Sequence, residues 1–321
     1  MRPCPPDSVV VVRSRLRSLL AVTFAALSIS GCSTLTGSNL AVGVEGKGFT
    51  ISETDDLLDE YFTESEVFGT TPLDAGGFGD ANRARLILNA LVRSSAVNVI
   101  LEQADDEVTQ ADLELYLASV PAESPLNQLS EEMQRLIAMT SADVLLSALS
   151  RADLPSAEEL EAMYGQQPIA TGLLCLRHIL VETEAEANDV ISSLEDGVDF
   201  VTIASEISLE SSASLTGGAI TGTESECLPT AQYISNFDPD FVAAAFEAPA
   251  STWSAPVETQ FGWHVILNRS WAEIGDDVVA AYANPDAALL YVEGLLNTAE
   301  INVDSRFGRW DASSGRIVPL G

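Results

Sequence analysis

The chain has 321 residues, of which 46% are apolar and 20% are charged. This composition is typical of a globular protein rather than a disordered one, and the length accommodates about two domains and a leader. The formal net charge is −33 and Lys47 is the only lysine, which disfavours nucleic acid and anionic membrane surfaces as partners, because phosphate binding needs clustered basic residues. The simpler explanation of the acidity is that it keeps the protein soluble.

The first residues have the pattern of a processing segment. Residues 13–17 carry three arginines, and Leu19 to Ile29 is apolar but too short for an ordinary membrane-spanning helix. Ile29-Ser30-Gly31-Cys32 then matches a bacterial lipobox, in which the cysteine thiol takes a diacylglycerol. We therefore expect residues 1–31 to be a lipoprotein signal peptide, and Cys32 to anchor the protein on the outer face of a membrane. The alternative is an ordinary secretory signal with an incidental cysteine.

Residues 32–42 begin with a Ser/Thr/Gly-rich stretch, and we expect them to form a flexible tether. The long stretch before Val12 is consistent with a start codon downstream of Met1. The sequence does not distinguish an outer-membrane anchor from a plasma-membrane anchor.

The next part of the chain is dominated by helical patterns. Residues 41–50 predict a short strand and turn, Ser52 is predicted to cap a helix because acidic residues follow it, and residues 67–80 predict a Gly-rich loop. Apolar residues at helical spacing predict four further helices, at Ala81 to Ala104, Thr109 to Val120, Ser130 to Leu149 and Ser156 to Tyr164. Residues 43–168 are therefore expected to form a mainly helical domain.

The pattern changes after Ile169-Ala170-Thr171-Gly172, which we interpret as a hinge into a second domain over residues 172–270. Its predicted elements are a strand at Leu173 to Val181, helices at Thr183 to Glu195 and Asp199 to Ile207, a loop over 208–223 with a short strand near Ala219 and Ile220, a helix at Pro239 to Glu247, and strands at Ser254 to Val257 and Trp263 to Asn268. This β-α-α-β-α-β-β order with a small antiparallel sheet predicts the α+β class.

Residues 271–321 are too few to fold alone. Val278 to Ala299 predicts a helix interrupted near Asn284-Pro285, Ile301 to Asp304 predicts a strand, and Arg306 to Asp311 predicts a loop. We expect this tail to pack back on the helical domain.

Both histidines of the chain lie in β-type apolar runs, Cys175 to Val181 and Phe261 to Leu267. Between them come helical patterns, Gly217-Gly218 and the segment Phe241-Val-Ala-Ala-Ala-Phe246. This order resembles the parvulin family (PpiC or rotamase type) of peptidyl-prolyl cis/trans isomerases. The resemblance implies an enzyme that needs no cofactor, because an apolar pocket that favours the twisted amide accelerates rotation about the X-Pro bond.

The resemblance also assigns roles to individual residues. Catalytic roles fall on His178 and His264 as a pair beneath the site, on Thr259 as the hydroxyl near that pair, and on Glu210. Contacts to the substrate fall on Phe241 as the wall of the proline pocket, and on Ile220, Phe237 and Phe246.

Two departures from the family pattern bear on whether the isomerase activity is retained. Glu210 stands where parvulins carry the shorter Asp or Cys, and Gly217-Gly218-Ala219-Ile220-Thr221 replaces the usual G-G-D-L-G, which is expected to loosen the loop. The loop over 208–223 also lacks Lys and Arg, so a preference for phospho-Ser/Thr-Pro is not expected.

Each of these residues has a purely structural explanation as well. A histidine in an apolar strand is most often a core residue with satisfied hydrogen bonds, two phenylalanines on one helix face are commonly core, and a loop glutamate is commonly solvated. The order in which these residues occur together is what favours the parvulin interpretation.

Two cysteines remain besides Cys32. Export would place Cys175 and Cys227 in a compartment that permits disulfides, where they either pair or remain two buried thiols. The chain has too few His and Cys for a typical zinc site, and we expect no metal.

The flanks of the parvulin-like part resemble, in architecture more than in motif, extracytoplasmic foldases of the SurA and PrsA type. The resemblance implies unfolded exported polypeptides as clients. Two other functions stay open: a client-holding chaperone whose isomerase domain is weak or inactive, and a purely structural lipoprotein.

Overall fold

The computed structural model describes residues 39–72, 79–222 and 225–320. The predicted signal peptide, Cys32 and most of the predicted tether lie outside the described residues.

An antiparallel hairpin opens the described chain. It consists of strands β1 (Leu40–Val44) and β2 (Lys47–Thr50), and β2 runs directly into helix α1 (Ile51–Thr63). The predicted cap at Ser52 is wrong. Thr50 caps the helix through a reciprocal pair of hydrogen bonds with Glu53, because the last strand residue already has the extended backbone that a capping residue needs.

Short helices surround one long central helix. They are α2 (Ser65–Phe68), the long α3 (Ala81–Gln103), α4 (Gln110–Leu117), α5 (Glu131–Ala138), α6 (Ala142–Leu149) and α7 (Ala157–Gln166). By length and composition α3 is the one described helix that qualifies to cross a membrane, but most of it is buried by the elements around it, as in a core helix. The predicted helices capped at Thr109 and Ser156 are confirmed, each with a capping box.

The single helix predicted over Ser130 to Leu149 is wrong, because the chain breaks between α5 and α6 around Ser141. Met139 is buried at this break, and the Thr140 hydroxyl donates to the carbonyl of Ile137 at 2.7 Å. No Gly or Pro marks the break, so tertiary packing decides it against the local helical pattern.

A buried charge network joins α4 to the end of α6. The Asp112 carboxylate is buried, and it accepts hydrogen bonds from the Arg151 guanidinium at 2.8 Å and the Ser147 hydroxyl at 2.6 Å. Arg151 holds the pKa of Asp112 far below its usual range, with smaller contributions from Ser147 and Thr109. The charge is therefore compensated where it is buried.

The second part of the chain contains a small sheet with helices around it. Its elements are β3 (Leu173–Leu174), β4 (Leu176–Val181), α8 (Glu184–Glu195), α9 (Phe200–Ile207), α10 (Ala213–Thr216), β5 (Leu228–Pro229), α11 (Thr230–Asn236), α12 (Pro239–Glu247), β6 (Val257–Thr259) and β7 (Gly262–Asn268). Strand β7 lies between β4 and β6, and both pairings are antiparallel. The predicted α+β class is confirmed.

Some details of this part differ from the predictions. Helix α11 was not predicted, and β6 begins at Val257 rather than at Ser254, since Pro256 has no N–H to donate to a strand ladder. The predicted short strand near Ala219 is a single bridge to Arg177. It is held by hydrogen bonds on both sides, so this segment still extends the edge of β4.

The C-terminal segment completes the core of the first part. Its elements are α13 (Trp271–Tyr282), α14 (Ala287–Thr298), β8 (Ile301–Val303), β9 (Arg309–Asp311) and β10 (Arg316–Val318). Strand β8 pairs antiparallel with β1, and α14 packs on α3. The stretch predicted as a loop at Arg306 to Asp311 is partly wrong, because β9 begins within it and forms a hairpin with β10.

The segment predicted as a hinge is instead a buried turn. Residues of Pro168–Thr171 are mostly buried, the Tyr282 hydroxyl donates to the carbonyl of Thr171 at 2.9 Å, and the Asn297 amide donates to the carbonyl of Ile169 at 3.1 Å. Gly294 allows the close approach of α14, because a Cβ there would collide with the carbonyl oxygen of Ala170. These contacts with α13 and α14 therefore hold the turn at Pro168–Thr171 in place.

Candidate active site

The two histidines meet on one face of the central sheet. His178 on β4 and His264 on β7 are offset by two residues, since Leu180 is the residue that pairs with His264 and Ile266 the one that pairs with His178, so both rings lie on the same face. Their Nδ1 atoms are 3.2 Å apart and both side chains are buried. One Nδ1 must donate and the other must accept, so only one of the two rings carries its proton on Nδ1.

A hydroxyl holds the other side of this pair. Thr259 Oγ1 lies 2.9 Å from His264 Nε2 and also accepts the Phe261 N–H at 3.1 Å. Strand β6 places the hydroxyl there, because its next residues turn tightly into β7 at Gly262. The chain of contacts from Thr259 through His264 to His178 fixes the orientation of both rings.

Both histidines are neutral near pH 7. Burial lowers the pKa of His178 to about 4. Burial and the neighbouring His178 lower the pKa of His264 to about 4, while the Asp238 and Glu210 carboxylates act in the opposite direction. The pair therefore places no positive charge beneath the site.

Phe241 forms an aromatic wall above the two rings. It is 2% exposed, and its ring meets His178 and His264 edge to face, with centroids 5.8 Å and 5.3 Å away. Phe237 stacks on the other side of Phe241 at 5.5 Å. Helix α12 holds this arrangement, since Asp238 caps it and Pro239 occupies its first turn.

These groups line a cavity of about 260 Å³ that is open to solvent. The cavity is lined by His178, Leu180, Glu210, Asn236, Phe237, Asp238, Phe241, Thr259, Phe261 and His264. It brings together all four residues assigned catalytic roles in the sequence analysis, and two of the four residues assigned to the substrate.

The other two residues assigned to the substrate lie elsewhere. Phe246 is 7% exposed and packs in the hydrophobic core on the far end of α12, and Ile220 packs against the same core. Neither lines the cavity. For Phe246 the reason is its spacing, since residues five apart on one helix point in different directions.

Four lining residues were not predicted from the sequence. Leu180 shares the face of His178 by strand alternation, a signal that was available. Phe261, 67% exposed, lies in the turn before β7, Asn236 ends the unpredicted helix α11, and Asp238 caps α12. Their orientation depends on how these elements pack, which the sequence alone does not indicate.

The Gly-Gly loop is pinned rather than loosened. Arg177 donates to the carbonyls of Thr216 at 2.7 Å and Gly217 at 3.0 Å. Gly218 has a φ of 77°, and a Cβ there would collide with the carbonyl of His178. The loop therefore packs directly on β4 without the aspartate of the usual motif.

A disulfide bond joins Cys175 and Cys227 next to the sheet. Cys175 precedes β4 and Cys227 precedes β5, and both are buried. The bond ties the segment that leads to α11 and α12 to the strand that carries His178.

The family model for the rotamase, or PPIC-type PPIASE, domain matches residues 178–270. Residues 178–270 are therefore called the rotamase domain. The matched stretch begins at the first histidine of the pair and includes every residue that lines the cavity.

The chain is also similar to two curated proteins and to one solved structure. A foldase protein PrsA of Clostridium acetobutylicum is 42% identical over 28% of this chain and 25% of its own length. A foldase protein PrsA of Caldanaerobacter subterraneus subsp. tengcongensis is 24% identical over 80% of this chain and 83% of its own length. The crystal structure of PrsA from Bacillus subtilis is 18% identical, covers 83% of this chain and 95% of that chain, and superposes with a TM-score of 0.28. The more similar relative is thus matched over about a quarter of its length.

The cavity has the features that isomerisation of an X-Pro bond requires. The C–N bond resists rotation by about 18–20 kcal/mol because it is partly double. A twisted amide has less charge on its oxygen and a basic nitrogen, so an apolar, neutral pocket favours it over the planar amide. Phe237, Phe241 and the neutral histidine pair form such a surface within the cavity, whose wall also carries the carboxylates of Glu210 and Asp238.

Proposed function

We propose that this protein is a peptidyl-prolyl cis/trans isomerase that assists the folding of exported polypeptides. The observation that carries the proposal is the apolar cavity above the His178–His264 pair, within a stretch that matches the rotamase family. The proline ring enters against Phe241, and the amide is twisted without a covalent step.

Each site residue has a physical task in this proposal. Phe241 and Phe237 desolvate the proline ring. His178, His264 and Thr259 hold one another by hydrogen bonds, and thus keep the floor of the pocket rigid and uncharged. Glu210 lines the cavity, and its carboxylate attracts or repels charged side chains of the segment that binds.

Two phenylalanines of α12 provide a matched pair of variants. Phe241→Ala and Phe246→Ala each remove a buried ring from the same hydrophobic core, at a cost of about 3–5 kcal/mol in unfolding free energy. Only Phe241 lines the cavity. We expect Phe241→Ala to lower the rate of X-Pro exchange by at least about tenfold, as loss of one aromatic contact allows, and Phe246→Ala to leave it near the wild-type rate.

The assay is NMR exchange on an Ala-Pro peptide, with the chain that starts at Ser33. Folding of each variant is checked by circular dichroism. Equal rates for wild type and Phe241→Ala, with both proteins folded, would contradict the proposed site. An equal loss in Phe246→Ala would show that stability, and not the cavity, governs the rate.

The anchoring at a membrane is part of the proposal. It is supported by the lipobox at Ile29-Ser30-Gly31-Cys32. We expect Cys32→Ser to move the protein from the detergent phase to the aqueous phase, and mass spectrometry of the wild type to find a diacylglyceryl group on Cys32. A wild-type protein that partitions into water would rule the anchor out.

A groove in the first part of the chain favours a second candidate function, client holding. The groove has a volume of about 520 Å³. Its lining includes apolar Phe49, Leu57 and Leu136, Ser94 and Asn98 of α3, and five charged residues, four of them acidic. Such a mixed surface suits an unfolded chain, whose side chains are apolar and whose backbone seeks hydrogen bonds.

Two tryptophan variants on α3 test the holding function. Asn98→Trp fills the groove, and Leu86→Trp adds the same ring at an exposed position of the same helix outside it. With denatured citrate synthase as the client, we expect suppression of aggregation to fall in Asn98→Trp and to persist in Leu86→Trp. Persistence in Phe241→Ala would show that holding is independent of isomerisation.

A further inference from the structure

The cavity of the rotamase domain carries negative charge that nothing in its wall neutralises. Glu210 enters from the loop after α9, and Asp238 enters at the start of α12. Among the residues that line the cavity there is no Lys or Arg, and both histidines are neutral. A bound segment therefore meets two carboxylates and no cation.

Both carboxylates have oxygens free for a ligand. Within the described residues, the Glu210 side chain makes no hydrogen bond or ion pair. Only its backbone is engaged: the N–H donates to Ser208 Oγ at 3.3 Å, and the carbonyl accepts from the Ala213 N–H at 3.0 Å. Asp238 accepts one hydrogen bond through Oδ1, from the N–H of Asp240 at 3.1 Å, which leaves Oδ2 free. Both carboxylates act on His264, so their field extends to the floor of the cavity.

The nearest cation on the central sheet is turned away from the cavity. Arg177 precedes His178 on β4, so its side chain lies on the opposite face of the sheet. There it bonds the carbonyls of Thr216 and Gly217 and the Glu273 carboxylate at 2.6 Å. It is already paired, and thus does not offset the carboxylates of the cavity.

An exposed aromatic ring completes this side of the cavity. Phe261 lines the cavity, yet 67% of it is exposed to solvent. An exposed ring beside free carboxylates fits a side chain with an apolar stem and a positive end, as in Lys and Arg.

We propose that the cavity selects X-Pro segments in which a Lys or Arg is directly adjacent to the proline. The stem of the basic side chain packs on Phe261, and its charged end pairs with Glu210 or Asp238. An acidic or phosphorylated neighbour is repelled by the same two groups. This inference rests on the proposed isomerase function, since it names the substrates that the same cavity prefers.

The expected preference for Lys over Glu next to the proline is set by how far the ion pairs with Glu210 and Asp238 are exposed to solvent. A single exposed ion pair is worth up to about 1 kcal/mol, or about fivefold in affinity. Attraction of Lys and repulsion of Glu act together, so we expect kcat/KM for a Lys-Pro peptide to exceed that for a Glu-Pro peptide by about tenfold or more in low salt. Raising the salt to about 0.5 M should shrink the ratio, because exposed charges are screened.

The experiment uses the chain that starts at Ser33 and peptides with Lys, Ala or Glu on either side of the proline. NMR exchange is chosen because a coupled protease would add its own charge preference. Glu210→Gln and Asp238→Asn remove the charges, and Asn preserves the helix cap. Glu258→Gln is the matched control, since Glu258 is exposed and adjoins Thr259 on β6 but points to the other face of the strand.

We expect the order Lys, Ala, Glu for wild type and Glu258→Gln, and nearly equal rates in the Glu210→Gln/Asp238→Asn double variant. Equal rates for the three peptides in wild type would overturn the charge preference while leaving the isomerase function intact. A preference that survives in the double variant would overturn the assignment to these carboxylates.

The same peptides separate this inference from the proposed function. If no peptide is isomerised by a folded protein, the isomerase function fails. Titration of the peptides, monitored by shifts of the two histidine signals, then measures affinity directly. Tighter binding of Lys-Pro than of Glu-Pro peptides supports the charge preference, and equal affinities overturn it.

Discussion

The histidine pair makes the most direct prediction about the site. Burial lowers the pKa of His178 and of His264 to about 4, against about 6.5 for histidine in an unfolded chain. Between pH 5 and 8 neither imidazole should titrate. These are the only two histidines of the chain, so each imidazole Cε1–H signal in an NMR spectrum of the untagged protein belongs to the pair.

The same shift has a defined effect on stability. Between pH 6.5 and pH 4 the unfolded chain binds more protons at these two sites than the folded protein does, so the free energy of unfolding falls as the pH is lowered through this window. The contribution is fully present above pH 6.5. For His178, whose pKa is lowered by burial alone, the shift to about 4 corresponds to about 3 kcal/mol at the acid end.

The assay is a pH titration of the two Cε1–H signals from pH 8 to pH 4, on wild type and on Thr259→Ser. We expect both signals to stay nearly constant down to about pH 5 and then to move or broaden as the pair opens. A midpoint near 6.5 for either signal would refute the reasoning, because it would show a solvated ring that is not held by its neighbour. A midpoint above 6.5 would mean that Glu210 and Asp238 outweigh burial at His264.

Three further predictions concern stability, measured by chemical denaturation at pH 7. Thr259→Val should lower the free energy of unfolding by about 1–3 kcal/mol, since the buried ring loses its hydrogen-bond partner, while Thr259→Ser should stay near wild type. Equal losses in the two variants would show that the hydroxyl contributes no more than the methyl group. Removal of the disulfide in Cys175→Ser/Cys227→Ser should lower the free energy of unfolding by about 4 kcal/mol, because the unfolded chain gains the entropy of the loop that the bond closes. An unchanged denaturation midpoint would show that the unfolded chain is already compact there. Gly294→Ala should lower the free energy of unfolding by about 1–3 kcal/mol, because the added Cβ meets a backbone carbonyl. Gly165→Ala has open space around the added Cβ and should stabilise α7 by about 0.5–1 kcal/mol. An unchanged stability in Gly294→Ala would mean that α14 shifts without cost.

The site could be predicted in part because its order along the chain is specific. His178, Thr259, Phe237, Phe241 and His264 were all assigned from short motifs, and the structure brings them to one cavity. The motifs did not predict that Phe246 and Ile220 would lie in the core. Core and cavity share the same residue types, and only the packing of α12 on the sheet separates them.

Local signals in the sequence determined the helices that carry their own caps. Thr109, Ser156 and Thr183 each begin a helix through a hydrogen bond that spans three residues, so the information is complete within one turn. The helix Pro239–Glu247 was predicted with its bounds for the same reason, since Asp238 and Pro239 are start signals in themselves.

Tertiary structure alone decided what depends on distant partners. The break between α5 and α6, the pairing of β8 with β1 and the burial of the turn at Pro168–Thr171 all follow from contacts across the chain. The charge of the cavity likewise depends on residues that are distant in the sequence. Glu210 and Asp238 are ordinary acidic residues in an acidic sequence, and they become a feature of the site only because the sheet register, the loop after α9 and the start of α12 bring them to one wall.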